Sequence, residues 1–434
     1  MLRLIAIGTL TIHMFLSSAV LTAQIATLQG DWPQFRGPLR DGVSADTDLL
    51  TKWPEGGPPL VWDTRGAGRG YASLSLVDGR IFTLGDGPST APDKDEYVSC
   101  FDRATGEQLW LKRLGPAWTS GRADWQSSRS TPTIDGDLLY VLTAHGKLVC
   151  LKVDTGEPVW EKSLKDDFGG KKGDGWGYSE SVLIDGDRLV CTPGGSESTI
   201  VALDKKTGER IWTAIRADDR GAGHASIVVS EVGGVRIYVQ TTASGALGVR
   251  AEDGELLWSY PIDRTTAVIP NPIVRDDLVF FAAGYRRGGA LLRQVPTGRG
   301  AITMEIVYPL KSALTNKHGG IVLVGDCLYG DTDSSGIPFC AELITGDVKW
   351  KERGSGRGSV AITAADGHLY LRYSDGVLAL AKASPEAYEE ISTFKIPGSG
   401  ERPSWSHPVI VGGKLYLREQ DRILCYDVKA KDQL

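Results

Sequence analysis

The stretch TGEQLW (105–110) decides how this chain folds, because close copies of it return along the sequence. The copies read TGEPVW (155–160), TGERIW (207–212), DGELLW (253–258) and TGDVKW (345–350). Each copy places a tryptophan four residues after its glycine. Glycine tolerates the positive φ of a tight turn, and an indole offers a large apolar face. We therefore predict a turn between the third and fourth strands of a repeated sheet, with the tryptophan on the outer strand packing against the next sheet.

A second signature gives the number of repeats: an apolar residue, a Gly/Asp turn and an alternating apolar strand. Its eight copies are VDGRIFTL (77–84), IDGDLLYVL (134–142), IDGDRLVCT (184–192), VGGVRIYVQ (232–240), VRDDLVFFA (274–282), VGDCLYGD (324–331), ADGHLYLRY (365–373) and VGGKLYLRE (411–419). A period of this length is typical of a propeller. The second repeat divides into strands at 130–134, 138–143, 147–152 and 158–163. The sequence thus predicts an all-β fold, an eight-bladed β-propeller of four-stranded antiparallel blades.

The two ends of the chain are predicted to complete one blade. The third strand of the eighth repeat (423–428) has no fourth strand after it, and PLVWDT (59–64) precedes the first repeat without a repeat of its own. We expect 59–64 to close the eighth blade, because closure removes free sheet edges. The predicted blade-docking tryptophans are Trp62, Trp110, Trp160, Trp212, Trp258 and Trp350. The fifth and seventh repeats lack a tryptophan at this position.

The N-terminus predicts export. Residues 1–23 contain Arg3, an apolar run and then small residues, as in a signal peptide. An uncleaved anchor is the alternative, because 4–21 approaches the ~18 apolar residues that a span needs. After cleavage we expect no membrane insertion and a periplasmic or extracellular location. Residues 24–58 are then a leader segment packing on the propeller, which itself spans 59–434.

Composition narrows the class of protein. The net charge of −6 comes from interspersed residues with no basic block, so nucleic-acid binding is not expected. Six cysteines are present, and four of them occupy similar positions in separate repeats. Equivalent positions in separate sheets are too far apart for disulfides, so we expect buried thiols. We also expect the chain to be a monomer.

The motif VALDKKTGERIW (201–212), followed by CFDRATGEQLW (100–110), resembles the docking motif of the quinoprotein (PQQ-like) β-propeller superfamily. The resemblance covers about residues 59 to 428. The superfamily includes PQQ-dependent alcohol dehydrogenases and non-catalytic members such as the assembly factor BamB. In the dehydrogenases, an adjacent Cys-Cys pair covers the cofactor and Ca²⁺ is held by Glu, Asn and Asp. This chain has no adjacent cysteine pair.

The segments that lead into the first strands should converge on the propeller axis. The channel-lining candidates in them are Arg129, Tyr178, Glu180, His224, Asn271, His318, Arg357, Trp405 and His407. Two interpretations stay open: a funnel with a general acid or base and a stacking aromatic, or polar groups that line a water-filled channel. Zn²⁺ binding by the three histidines is not expected, because alternate blades hold them too far apart.

Two further segments are open to interpretation. In the leader, Trp32, Phe35 and Arg36 either cap one face of the ring, bind a partner or pack on the rim. The Gly- and charge-rich segment 164–175 reads as a mobile loop between blades two and three, and secondarily as a lid or partner-binding segment.

The function expected from the sequence is that of an exported, non-catalytic, BamB-like propeller that binds a protein or glycan partner in the cell envelope. No catalytic residue, metal or cofactor is assigned. The alternative is a PQQ-dependent alcohol dehydrogenase-like quinoprotein, with PQQ and Ca²⁺ on the axis.

Overall fold

The computed structural model describes residues 30–87 and 94–430. The predicted signal peptide lies outside the described residues. The described chain forms eight four-stranded antiparallel sheets, which confirms the eight-bladed propeller. Among the residues that the structure describes, no helix has the length and apolar character needed to cross a membrane.

Each of the first four blades takes its strands from one continuous stretch of chain. Blades 1 and 2 contain β2 (Ser75–Val77), β3 (Arg80–Asp86), β4 (Asp95–Asp102) and β5 (Gln108–Pro116), then β6 (Thr133–Asp135), β7 (Leu138–Leu142), β8 (Lys147–Lys152) and β9 (Pro158–Ser163). Blades 3 and 4 contain β10 (Leu183–Asp185), β11 (Arg188–Cys191), β12 (Ile200–Asp204) and β13 (Arg210–Ala214), then β14 (Val228–Val232), β15 (Val235–Thr242), β16 (Gly245–Arg250) and β17 (Leu256–Pro261).

The remaining blades follow the same order, except that the last one borrows its outer strand. Blades 5 and 6 contain β18 (Ile273–Arg275), β19 (Leu278–Ala283), β20 (Gly288–Gly298) and β21 (Ala301–Lys311), then β22 (Val322–Val324), β23 (Cys327–Asp331), β24 (Pro338–Glu342) and β25 (Val348–Lys351). Blades 7 and 8 contain β26 (Val360–Ala365), β27 (His368–Tyr373), β28 (Val377–Lys382) and β29 (Glu390–Lys395), then β30 (Val409–Val411), β31 (Lys414–Glu419), β32 (Arg422–Asp427) and, from the N-terminal side, β1 (Leu60–Arg65).

Closure of the ring by the N-terminal strand is confirmed. β1 pairs antiparallel with β32, with Thr64 opposite Ile423 and Arg65 opposite Arg422. The strand begins one residue later than predicted, at Leu60. This pairing covers the edge that β32 would otherwise leave open to other chains.

The first strand of each blade lies innermost and is often short. In blade 2 it spans Thr133–Asp135 instead of the predicted 130–134. The residues just before it bond to neighbouring loops: Thr131 N, for example, donates to Ser181 Oγ of the next blade at 2.9 Å. The backbone N–H and C=O groups near the axis therefore find hydrogen-bond partners in neighbouring blades as well as within their own blade.

Tryptophans on outer strands dock each blade on the next. Trp110 Nε1 donates to Val153 O at 3.1 Å, and Trp160 Nε1 donates to Lys205 O at 3.0 Å. Trp62 and Trp212 make the equivalent bonds, to Arg103 O and Ala251 O. In these four cases the acceptor lies three residues before the turn glycine of the next blade, so the repeated motif supplies both sides of the contact.

The other two tryptophans and a tyrosine extend this series. Trp350 Nε1 donates to Ser384 O of blade 7, and Trp258 Nε1 donates to the side chain of Gln294 in blade 5. Blade 5 has no tryptophan at the position, but Tyr308 on β21 donates to Leu343 O at 3.0 Å. A tyrosine therefore replaces the missing indole between blades 5 and 6.

The hydrophobic core lies between neighbouring blades. One cluster joins Phe82 and Leu84 of blade 1 to Leu139 and Val141 of blade 2, and similar clusters follow around the ring. All six cysteines are buried and unbridged. Burial raises the pKa of the Cys150 thiol to about 12, which keeps it protonated and unreactive.

Candidate functional site

The leader runs through the hub of the ring. Trp32 N donates to Leu76 O at 2.7 Å in blade 1, and Pro33 O accepts from Ile134 N at 2.9 Å in blade 2. Further along, Ser44 N donates to Ala364 O at 2.8 Å in blade 7. Because these acceptors and donors belong to innermost strands, the leader fills the space around which the blades are arranged.

Two arginines hold the leader in place. Arg36 donates through Nη2 to Ile321 O beside blade 6, and Arg40 donates to Ser181 O and Val182 O beside blade 3. Both arginines have positive φ, +65° and +59°. A non-glycine residue in this region costs about 1–2 kcal/mol. We attribute its persistence here to the guanidinium bonds that anchor the leader.

A pocket opens on the axis above the leader. The space in which the centre of a water molecule fits is about 130 Å³. Most of the lining comes from the loops that lead into the first strands, here called the hub loops, and the leader contributes two residues. The lining residues are Phe35, Arg36, Tyr71, Trp125, Arg129, Trp176, Ser179, Ser181, His224, Ala267, Ile269, Pro270, Asn271, Tyr285, Lys317, His318, Gly320, Trp405 and His407.

Aromatic side chains make the wall of this pocket rigid. Trp125 and Trp176 meet edge to face, with ring centres 5.7 Å apart. Trp405 stacks on His318 at 4.2 Å and contacts Tyr71 at 4.8 Å. Aromatic contacts of this kind fix the orientation of the rings before any ligand arrives.

Three cations share the lining with no carboxylate among the lining residues. Arg129 Nη1 donates to Trp176 O at 2.6 Å, and Lys317 Nζ donates to Ser334 Oγ at 3.0 Å. Arg36 bonds only to backbone carbonyls. Burial lowers the pKa of Arg36 to about 10 and also lowers the pKa values of Arg129 and Lys317. All three stay charged near neutral pH, so the pocket is positive.

One wall carries a chain of hydrogen bonds. His224 Nε2–H donates to Asp174 Oδ2 at 2.8 Å, which leaves Nδ1 as an acceptor facing the Ser179 hydroxyl. Burial, helped by the nearby Lys172 charge, lowers the pKa of His224 to about 4. Contact with His224 and Lys172 holds the pKa of Asp174 below its usual value, although burial alone would raise it. The imidazole is therefore neutral at pH 7 and positions Ser179.

The other two pocket histidines are neutral as well. Burial lowers the pKa values of His318 and His407 to about 3. His407 Nδ1–H donates to Ile362 O at 3.3 Å, and His318 Nδ1 lies 3.1 Å from Ser359 Oγ. Neutral, hydrogen-bonded rings contribute shape and polarity to the pocket without adding charge.

The structure places six of the nine predicted channel residues at the pocket: Arg129, His224, Asn271, His318, Trp405 and His407. Tyr178 and Glu180 are buried between blades. Tyr178 donates to Pro193 O, and Glu180 accepts from Thr192. Arg357 is exposed, and its backbone N–H donates to Asp375.

Sequence reasoning did not single out several lining residues. Trp125, Tyr285 and Lys317 carry no repeat signal, although Lys317 lies directly beside His318. Part of the segment 164–175, whose predicted mobility stays a prediction, is bonded to a neighbouring blade. Lys172 forms a parallel bridge with Ala222, and its Nζ donates to Gly223 O at 2.6 Å. This segment is therefore bonded to the hub loop of blade 4 and delivers Asp174 to His224.

The Ca²⁺ of the PQQ alternative does not fit this donor set. Ca²⁺ takes six to eight oxygen ligands, mostly carboxylates and carbonyls. No lining residue has a carboxylate, and Asn271 Oδ1 already accepts from Ser226 N at 2.8 Å. Throughout 30–87 and 94–430, no three histidine, cysteine or acidic side chains are grouped as metal ligands.

Comparison with known proteins identifies related chains. A family model described as outer membrane protein assembly factor BamB matches residues 94–352. A protein of that name from Nitrosomonas eutropha is 24% identical over 280 residues, which cover 60% of this chain and 60% of that protein. The aligned part is thus less than two thirds of the relative's length.

Two solved structures share the fold. BamB from Moraxella catarrhalis superposes with a TM-score of 0.60 at 16% identity, covering 86% of this chain and 99% of that one. A quinohemoprotein alcohol dehydrogenase from Comamonas testosteroni gives a TM-score of 0.65 at 13% identity, covering 96% of this chain and 83% of that one. At these identities the likeness is one of fold alone, so it does not separate a binding protein from an enzyme.

Proposed function

This chain belongs to the family of the outer membrane protein assembly factor BamB, and from that premise we propose that it is an exported, non-catalytic propeller that binds a protein or glycan partner in the cell envelope. The family name supplies the envelope setting and the role in assembly. The hub pocket is the site at which the partner is held.

The observation that carries the proposal is the construction of the hub pocket. Its aromatic wall and three cations are fixed by contacts with the leader and the hub loops, so the surface is ready for binding. Preorganised sites of this kind lose little entropy when a ligand binds.

Hydrogen bonds hold His224 between Asp174 and Ser179 in one wall of the pocket. Burial favours the neutral imidazole, which accepts from the Ser179 hydroxyl through Nδ1. The chain from Asp174 to Ser179 therefore fixes the geometry of the wall.

Site-specific photo-cross-linking tests the proposal. A photoreactive residue replaces Trp125 in the pocket or, as a control, Ile344, which is 49% exposed outside it. In cells that produce the full chain, we expect defined adducts in the envelope fraction from position 125 and none from position 344. The absence of adducts at 125, the same adducts at both positions, or a cytoplasmic location of the chain would contradict the proposal.

The dehydrogenase alternative has its own test. The purified protein is titrated with PQQ and Ca²⁺ and followed by absorbance and dye-linked alcohol oxidation. We expect no stoichiometric uptake. Tight uptake accompanied by alcohol oxidation would replace the binding proposal with the enzymatic one.

A further inference from the structure

The unpartnered buried polar atoms of the pocket lining are all donors. They are Nε and Nη1 of Arg36 and Nδ2 of Asn271. Arg36 is only 3% exposed. Its Nη1 lies so close to Gly320 that a Cβ added to this glycine would be only 2.5 Å from it. The orientation of Asn271 is fixed because its Oδ1 accepts from Ser226 N. A ligand that satisfies these atoms must bring acceptors.

The pocket also lacks counter-ions. None of Arg36, Arg129 and Lys317 has a described carboxylate oxygen within 4 Å. The nearest carboxylates act on them only at longer range: Asp41 on Arg36, Asp333 on Lys317 and Asp174 on Arg129. The Asp174 carboxylate is already engaged by His224 and Lys172. The three cations therefore donate to neutral groups and have no carboxylate in contact, and an anion entering the pocket would offset part of the cost of burying their charge. The acceptor-rich ligand should therefore carry negative charge.

The shape of the wall indicates the body of the ligand. The Trp125 and Trp176 planes lie 80° apart, and those of Tyr71 and Trp405 lie 40° apart. Inclined rings form a rounded cup, which suits a puckered ring better than a flat one. A sugar presents a C–H face to an aromatic ring and hydroxyls to polar groups such as Ser179 and Ser181, both in the lining.

We propose that the hub pocket binds a sugar residue that carries a carboxylate, as part of an acidic glycan. The carboxylate lies among the three cations Arg36, Arg129 and Lys317, and the sugar ring packs on the tryptophan wall. This inference rests on the proposed function, since it names the ligand class of the same pocket. A peptide with acidic side chains would offer the charge but not the ring, and it serves as the competing ligand in the test.

Calorimetric titration of the full chain provides that test. The probes are trigalacturonate, its carboxyl-reduced neutral form and an acidic tripeptide. We expect one trigalacturonate per chain, with the neutral sugar and the peptide each at least about tenfold weaker, as for loss of a charge-assisted hydrogen bond. Affinity for trigalacturonate should fall as salt is raised.

Two variants and a control locate the site. Arg129→Gln and Lys317→Gln should each weaken trigalacturonate binding about tenfold, whereas Lys349→Gln should leave it unchanged. Lys349 lies on β25 outside the pocket and is paired with Glu342. Circular dichroism and thermal melting check that each variant is folded, and a variant that is not folded is replaced by Arg129→Met or Lys317→Met.

The outcomes separate this inference from the proposed function. Equal binding of the neutral sugar, preference for the peptide, no sugar binding, or equal losses in all three variants would overturn the acidic-sugar assignment. Cross-linking at position 125 could still detect a partner in each of those cases. Loss of both the cross-link and the sugar binding would overturn the two proposals together.

Discussion

Gly208 shows how a missing side chain holds two blades together. Its φ is +72°, and Trp160 of blade 2 lies where a Cβ would stand, 2.8 Å away. The same indole donates to Lys205 O three residues earlier. Trp62 and Trp110 are placed in the same way over Gly106 and Gly156, so the glycine is needed for its lack of volume as well as for its turn.

Alanine substitutions can separate these two requirements. Gly186 also has positive φ, +61°, but nothing lies within 4 Å of a Cβ there. Gly186→Ala should cost about 1–2 kcal/mol of unfolding free energy from backbone strain alone. Gly208→Ala should cost about 1–3 kcal/mol more, because Trp160 must move. Urea unfolding measures both variants, and equal losses would show that the indole contact is unimportant.

Glu180 makes stability depend on pH. Burial raises its pKa to about 7 from an ordinary value of 4.5. The unfolded chain therefore ionises Glu180 near pH 4.5, whereas the folded chain keeps it protonated until about pH 7. The stability that it contributes is complete below pH 4.5 and is lost as pH rises to 7, by about 1.4 kcal/mol per pH unit.

The Glu180→Gln variant lacks this titration. Relative to the variant, the unmodified protein should lose unfolding free energy between pH 5 and pH 7. Urea unfolding at the two pH values measures the difference. A difference that stays constant over this interval would show that Glu180 has an ordinary pKa.

Residue identity alone could predict part of the site. The histidines, Arg129, Asn271 and Trp405 stand out because they are polar or aromatic side chains that packing does not require in the segments leading to the axis. Glu180 and Arg357 stand in equivalent segments, yet one turns between blades and the other faces solvent. Side-chain direction depends on the loop backbone, which neighbouring blades set, and no local pattern records it.

Among the elements, the strands are predicted by the repeats, but the path of the leader is not. Turn glycines and alternating apolar residues predict every blade, including closure by β1. The path of residues 32–44 through the hub leaves no periodic trace, because its contacts are made largely to backbone carbonyls. The repeat pattern does not predict the docking role of Tyr308 either. β20 and β21 are 11 residues each, so the docking residue is displaced from the position of tryptophan in the other repeats.

N-terminal truncation separates the roles of the leader and β1. A chain that starts at residue 30 keeps both elements. A chain that starts at residue 56 keeps only β1, and one that starts at residue 66 keeps neither. We expect the chain starting at 56 to remain a monomer, like the chain starting at 30, but to lose pocket binding, since Arg36 is gone. The chain starting at 66 should associate, because the edge of β32 is exposed.

Size-exclusion chromatography with light scattering measures the number of subunits in each sample. Monomers in all three samples would show that β1 is not needed to protect the last blade. Association of the chain starting at 56 would instead give the leader a role in closing the ring.

At the scale of the whole molecule, the ring is joined by buried arginines as well as by β1. Arg418 on β31 donates to Ala67 O and Gly68 O, next to β1, and to Thr83 Oγ1 of blade 1. Arg372 of blade 7 pairs with Glu419 of blade 8 at 2.7 Å. These contacts lie where the two ends of the chain meet, and with the leader they give the pocket a fixed outline.

The most direct measurement is a crystal structure of the full chain grown with trigalacturonate. We expect residues 32–44 to lie in the hub and a sugar carboxylate to lie within hydrogen-bonding distance of Arg36 Nη1, against the tryptophan wall. A leader outside the ring, or a sugar bound elsewhere with the pocket empty, would contradict it.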